Sequence, residues 1–212
     1  MAVPEYPTVF TKPPGSFLYK TSNYIVLIFP TDALAGPYDD IKVDPQCHNL
    51  DYEGELCVVI GKDCKNFNAE GDFTEYVLGY CAGNDVSARF WQMPAQSGNQ
   101  HGYAKSFDNF GPIGPTIVST SEIPSPDELE LTTTVNGEVR QKTSTGDLLF
   151  TIPKILEHLS RGTTVRKGTI IMTGTPSGVA AFMKPPKWLQ SGDVVQVEIS
   201  RVGRITNKMV IV

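Results

Sequence analysis

Apolar positions change character twice along the chain. Residues 15–31 are β-branched and aromatic, almost uncharged, and show no alternation. From Leu50 the pattern becomes regular. Residues 50–62 alternate at first and then turn continuously apolar, which predicts a strand running from a polar site into a core. Residues 76–83 read as a second strand or short helix, leading into Asn84-Asp-Val-Ser-Ala-Arg, and residues 97–104 as a Gly/Asn/Gln/His loop. Residues 129–142 form the clearest hairpin, because Asn136-Gly137 is the favoured dipeptide for a type I′ turn. A helix is expected over 152–160, with Ile155, Leu156 and Leu159 on one face and Gly162 as its stop. Residues 169–173, 193–199 and 204–212 read as strands. Pro4, Pro7, Pro13 and Pro14 exclude a helix at the start. The expected class is mainly β with few short helices, an α+β domain.

Composition narrows the function. The chain has 212 residues, 40% hydrophobic and 19% charged, which suits one large globular domain. Nineteen glycines and sixteen prolines favour turns and short strands. Eighteen basic against twenty-three acidic residues give a net charge of −5, with no basic run to meet a phosphate backbone, so no nucleic-acid partner is expected. Residues 25–29 are the longest purely apolar stretch, far short of the about 20 needed to span a bilayer. No membrane partner and no secretory leader are expected. The four cysteines show no CxxC spacing and read as structural thiols of an intracellular, reducing compartment, with no zinc site.

Candidate chemistry begins with Glu53 and Glu55. On one strand they would share a face, about 7 Å apart. Two like charges there suit either a hard divalent ion such as Mg²⁺, which wants oxygen ligands, or a solvent-facing polar edge. Asp85, ahead of Arg89 and Gln92, is either a site carboxylate on a strand end or the cap of the short segment that follows. Lys105, beyond a glycine-flanked loop, is either surface or a fixed cation for a substrate carboxylate or enolate oxygen. The Gly-rich turn at 173–178 could present backbone N–H groups and the Thr175 hydroxyl, or be only a turn; it lacks a phosphate-loop lysine. His158 can oppose a helix dipole. His48 and His101 lie in loops without a triad partner, and no GxSxG elbow is present.

Taken in order, DYEGELCVVIGK (51–62), GYCAGNDVSARFWQ (79–92), KSFDNFGPIGP (105–115), VNGEVRQ (135–141) and IIMTGTPSGV (170–179) resemble the fumarylacetoacetate hydrolase family. The ending from FMKPPKWLQSGDVVQVEI onward is similar to its mitochondrial domain-containing protein 2 branch. The resemblance implies a mixed β-roll or sandwich, a homodimer, and a Mg²⁺ site that Mn²⁺ or Ca²⁺ could also fill. It implies Glu53, Glu55 and Asp85 as metal ligands, and Arg89, Gln92, Lys105 and Thr175 as residues lining the substrate pocket. It further implies an enzyme of small 2-oxo or β-dicarbonyl acids, with C–C bond hydrolysis as the default. Oxaloacetate tautomerisation or decarboxylation shares the same enolate. Location would be mitochondrial or cytoplasmic.

Two departures set expectations of their own. The family's general base is a His in a GxNYxxHxxE-like lid motif upstream of the part matching residues 4–14, and this sequence shows no His-x-x-Glu there. A chain without that base could be a catalytically silent metal- or ligand-binding protein. The family also runs directly from its Lys-Pro-Pro into the stretch matching residues 32–37, so residues 15–31 look inserted, as a retained intron or a lineage-specific strand. The expected organisation is an extended segment at 1–31 and a catalytic domain at 32–212.

Overall fold

The computed structural model describes residues 5–9, 32–98 and 100–212. The expected insertion at 15–31 therefore lies outside the described residues. Among these, the strands in chain order are β1 (Leu34–Ala35), β2 (Ile41–Val43), β3 (Leu50–Asp51), β4 (Gly54–Ile60), β5 (Cys64–Lys65), β6 (Val77–Asn84) and β7 (Ser87–Ala88). They continue as β8 (Gly111–Ser119), β9 (Glu130–Val135), β10 (Glu138–Ser144), β11 (Thr164–Val165), β12 (Ile170–Met172), β13 (Val194–Ile199) and β14 (Gly203–Ile211). Two α-helices, α1 (Pro94–Ser97) and α2 (Ile152–Ser160), complete the regular structure with several 3₁₀ turns. The mainly β, α+β expectation is borne out.

Alternation builds one sheet of order β10-β9-β13-β14-β2. Val195, Val197 and Ile199 of β13 and Ile205, Asn207 and Met209 of β14 point inward, while the residues alternating with them are more exposed. The β9–β10 turn has φ of 51° at Asn136 and 82° at Gly137. Both central residues of a type I′ turn need positive φ, so the dipeptide does what its sequence promised.

The other large sheet has the order β1-β8-β6-β4-β12. Its β4 is buried along its whole length, as a continuously apolar strand should be when both faces are covered. Leu56, Val58 and Ile60 from β4 and Tyr80 and Ala82 from β6 enter the same core as the inward residues of the first sheet. Ile152, Ile155 and Leu156 of α2 close that core, and the helix has the bounds expected from its periodicity.

Two expectations need correction. Residues 50–62 are not one strand: β3 ends at Asp51 and β4 starts at Gly54, so Glu53 sits in the break and not on a strand with Glu55. The break arises because β3 pairs with β7 while β4 pairs with β6. The Gly111-Pro-Ile-Gly-Pro stretch, to which the sequence pattern assigns no element, opens the nine-residue β8. Its prolines are accommodated because β8 faces only the two-residue β1 on one side and pairs irregularly with β6 on the other. The loop expected at 97–104 begins at the last residue of α1 and ends in a 3₁₀ turn over Tyr103–Lys105.

Candidate active site

The site forms where β4 begins and β6 ends. These strands are antiparallel with Gly54 opposite Asn84 and Glu55 opposite Gly83, so Glu53 and Asp85 stand side by side just past the ladder. Asp85 donates its N–H to the Glu53 carbonyl at 2.9 Å, and Glu53 donates its own to Asn84 Oδ1 at 2.9 Å. Gly54 permits this crossing, since a Cβ there would lie 2.0 Å from Thr133 Oγ1. Glu53, Glu55 and Asp85 are all buried, and each offers an oxygen within 4.8 Å of the others.

β12 runs antiparallel to β4 and delivers the Gly-rich turn to the same place. Gly174, at φ +105°, donates its N–H to Glu55 Oε2 at 2.6 Å. Thr175 also lines the cavity, but its hydroxyl donates to the Gly54 carbonyl at 3.0 Å and accepts from Gln141 Nε2 at 2.8 Å. The turn thus presents its backbone to Glu55, while the Thr175 hydroxyl is engaged by the protein's own Gly54 and Gln141.

Lys105 is buried, with its ammonium 2.5 Å from Glu53 Oε2 and also bonded to Asp85 Oδ2. Burial works against its charge, but Asp85, Glu53 and Glu55 outweigh burial and hold its pKa above the ordinary lysine range. Arg89 follows β7 in a 3₁₀ turn and pairs with Glu53 Oε1 through one terminal nitrogen. Asp85 caps no helix: the turn's cap position is Ala88, which makes no side-chain bond. Gln92 is absent from the cavity wall and reaches the site through Arg89, whose other terminal nitrogen donates to Gln92 Oε1 at 3.1 Å.

Burial, and then the neighbouring Asp85 and Glu53, push the Glu55 carboxyl up to about 8, against the pull of Lys105 and the Gly174 N–H. Three buried carboxylates facing the buried Lys105 and the half-buried Arg89 leave an unbalanced negative charge when all are ionised. Hard oxygen donors, a net negative charge and burial fit a divalent cation of the Mg²⁺ type. The ammonium already seated between Glu53 and Asp85 shows that this space accepts positive charge.

A cavity of about 800 Å³ opens from this cluster. His101 lines it near the charges, while Leu148, Phe150, Ile155 and Leu159 form an apolar reach and Pro7–Val9 form part of the wall. Burial, followed by Lys105, lowers the His101 pKa, which favours a neutral ring. His48 is exposed and edges against Phe90, and His158 stacks on Tyr6. All four cysteines are free and buried, as expected of structural thiols.

Sequence reading missed Gln141 and Asp51. Gln141 is buried, accepts from the Gly54 N–H at 3.0 Å, and donates to both Thr175 Oγ1 and the Pro176 carbonyl. A register shift between Val139 and Gln141 hid its inward direction. Asp51 stands behind Arg89, with Oδ2 2.9 Å from the arginine Nε.

Residues 2–210 match the family model described as fumarylacetoacetate (FAA) hydrolase C-terminal. The chain is 43% identical over 178 residues to the mitochondrial oxaloacetate tautomerase FAHD2A of Bos taurus, covering 84% of this chain and 56% of that protein. It is 39% identical over 208 residues to oxaloacetate tautomerase YisK of Bacillus subtilis (strain 168), covering 98% of this chain and 62% of that protein. It thus spans about six-tenths of the length of these curated relatives. The solved fumarylacetoacetate hydrolase of psychrophilic Exiguobacterium antarcticum superposes with a TM-score of 0.78 at 39% identity, over 85% of this chain and 64% of that one. Among the described residues no helix is long and apolar enough to cross a membrane.

Proposed function

The chain belongs to the fumarylacetoacetate hydrolase family, and from that premise we propose a divalent-metal-dependent enzyme of small 2-oxo and β-dicarbonyl acids that works through an enolate. The observation carrying this reading is the buried triad Glu53, Glu55 and Asp85 set against Lys105 and Arg89. Glu53, Glu55 and Asp85 would hold Mg²⁺, with Mn²⁺ or Ca²⁺ as substitutes. The ion, when bound, would supply a Lewis acid for the carboxylate and keto oxygens of the substrate.

The protein's own groups would do the rest. Lys105 and Arg89 are cations fixed at the cavity wall, available to a substrate carboxylate or a developing enolate oxygen. Thr175 and the 174–176 backbone shape the opposite wall, and Gln92 steadies Arg89. His101, neutral and at the wall, would accept the proton that leaves the carbon between two carbonyls. The apolar reach beyond it would exclude water and seat a substrate's non-polar end.

Hydrolysis of a C–C bond is the family default, and oxaloacetate tautomerisation or decarboxylation is the second reading. The second is favoured by the oxaloacetate tautomerase names of relatives about 40% identical to this chain. A homodimer, in mitochondria or cytoplasm, belongs to the same proposal and is tested by sedimentation and fractionation. The enzymatic reading is tested by following enol-oxaloacetate and acylpyruvates by absorbance, with Mg²⁺ and with EDTA. Turnover above the rate of free Mg²⁺, abolished by EDTA and by His101→Ala but not by His48→Ala, is the expected result. No turnover on either substrate class would favour a silent ligand-binding protein.

A further inference from the structure

Asp51 is fully buried, and four donors converge on its carboxylate. Oδ1 accepts from the backbone N–H of Tyr52 at 2.9 Å and of Ala180 at 2.8 Å. Oδ2 accepts from the Ala181 N–H at 3.1 Å and from Arg89 Nε at 2.9 Å. A buried carboxylate is tolerated only with such full compensation. Asp51 is absent from the cavity wall and from the acidic triad, whereas Arg89 lines the cavity.

A guanidinium is planar, so its orientation is set once three of its nitrogens are engaged. Asp51 takes Nε, Gln92 takes one terminal nitrogen, and Glu53 takes the other. Of these three, Glu53 would turn toward a bound cation, and Gln92 offers a neutral amide oxygen. Asp51 then remains as the charged anchor. The local fold prepares it: β3 pairs with β7 through Asp51 and Ser87, and Arg89 donates its backbone N–H to the Asn49 carbonyl at 3.1 Å.

We propose that Asp51 is a positioning residue, holding the Arg89 guanidinium edge-on so that its outer face stays directed at the substrate end of the cavity. The proposal rests on the functional reading above, in which Arg89 meets a substrate carboxylate. Asp51 also ties down the turn at residues 180–181, so a purely structural role is the competing account.

Two readouts separate these accounts. In ¹⁵N-edited spectra of the metal-free protein, the Arg89 Nε–H should exchange slowly in wild type and rapidly in Asp51→Asn. The asparagine amide would turn a donor toward a donor at Nε, which loses its acceptor while Gln92 and Glu53 still hold the terminal nitrogens. Oxalate, a planar dianion with adjacent oxygens, then serves as the probe for the Mg²⁺-loaded protein by calorimetry. Asp51→Asn and Arg89→Lys should each weaken oxalate by roughly ten- to a hundred-fold, the range for hydrogen bonds to charged groups. Lysine keeps the charge but has no Nε–H. The double variant should bind no more weakly than Arg89→Lys alone, because Asp51 acts through Arg89.

Additive losses in the double variant, or an unchanged Nε–H exchange in Asp51→Asn, would overturn the proposal. If Asp51→Asn does not fold, Arg89→Lys and Arg89→Met decide: lysine as poor as methionine supports edge-on anchoring, and lysine equal to wild type overturns it. A wild type that binds no oxalate would overturn the functional reading instead, while the Nε–H signal still decides whether Asp51 holds Arg89.

Discussion

The β9–β10 and β13–β14 sheet and the broken strand around Glu53 are built by opposite rules. In the sheet, inward residues are mostly aliphatic, the β9–β10 turn is an Asn-Gly pair, and ion pairs such as Lys142–Glu130 lie on the outside at 3.2 Å. Around Glu53 the ladder stops for two residues, the carboxylates of Asp51, Glu53, Glu55 and Asp85 are buried with Lys105 and beside the half-buried Arg89, and backbone N–H groups point at carboxylates. Regular pairing satisfies polar backbone and leaves chemistry outside. Broken pairing turns the same groups inward, where low polarity strengthens every charge interaction. The cost of burying those charges is offset by mutual pairing, and would be offset further by a cation.

The widest separation between the regions should appear in catalysis. Lys105→Met is expected to lower turnover of oxo acids by a factor on the order of 10²–10³, as loss of a preorganised charge does. The same variant should bind Mg²⁺ at least as tightly as wild type, because a cation that shares Glu53 and Asp85 has been removed. Steady-state kinetics beside calorimetry checks both parts. A loss of Mg²⁺ binding together with turnover would mean that Lys105 supports the carboxylates and does not compete for them.

Next come the glycines. Gly54→Ala would place a methyl 2.0 Å from Thr133 Oγ1 and 3.2 Å from Val197 Cγ1, an overpacking expected to cost about 3 kcal/mol. Gly137→Ala in the hairpin meets nothing within 4 Å but keeps φ at +82°, expected to cost about 1–2 kcal/mol. Urea unfolding of both variants orders them; equal losses would show that the strand crossing relaxes freely.

A smaller, graded effect should follow pH. The Glu55 carboxyl is raised from its ordinary 4.5 to about 8, first by burial and then by Asp85 and Glu53. A group with a raised folded-state pKa stabilises the fold below its unfolded value and loses that contribution as pH climbs through the folded one. The metal-free protein should therefore lose stability between about pH 5 and 8, and Mg²⁺ should raise the thermal midpoint more at pH 8 than at pH 6. A flat profile, with and without Mg²⁺, would contradict the charged triad. Smallest of all, Lys142→Ala on the outer sheet should leave stability, metal binding and turnover within error, since exposed pairs contribute little.

Where periodicity was intact, the sequence could be read directly: α2 and the β9–β10 hairpin lie close to where alternation and turn chemistry place them. Residue types and spacing leave Glu53, Glu55, Asp85 and Lys105 each open between a site and a structural role, and only the ordered motifs of the family resemblance put them together. The geometry of the site was not legible. The strand break that sets Glu53 apart depends on β3 choosing β7 as its partner, a long-range pairing with no local signal. Gln141 was masked by a register shift, β8 by its prolines, and Asp51 by looking like one more polar residue in an alternating run. Local rules fail most where the chemistry is concentrated, as expected of functional sites.

The central claim is that Glu53, Glu55 and Asp85 form one cation site. Its most direct test is calorimetric titration of Mg²⁺ into wild type, Glu53→Ala, Glu55→Ala and Asp85→Ala, each checked for an intact fold by circular dichroism. Saturable binding of one Mg²⁺ per chain in wild type, lost in all three folded variants, is what the account predicts. Unchanged affinity in any two of them would place the ion elsewhere and contradict it.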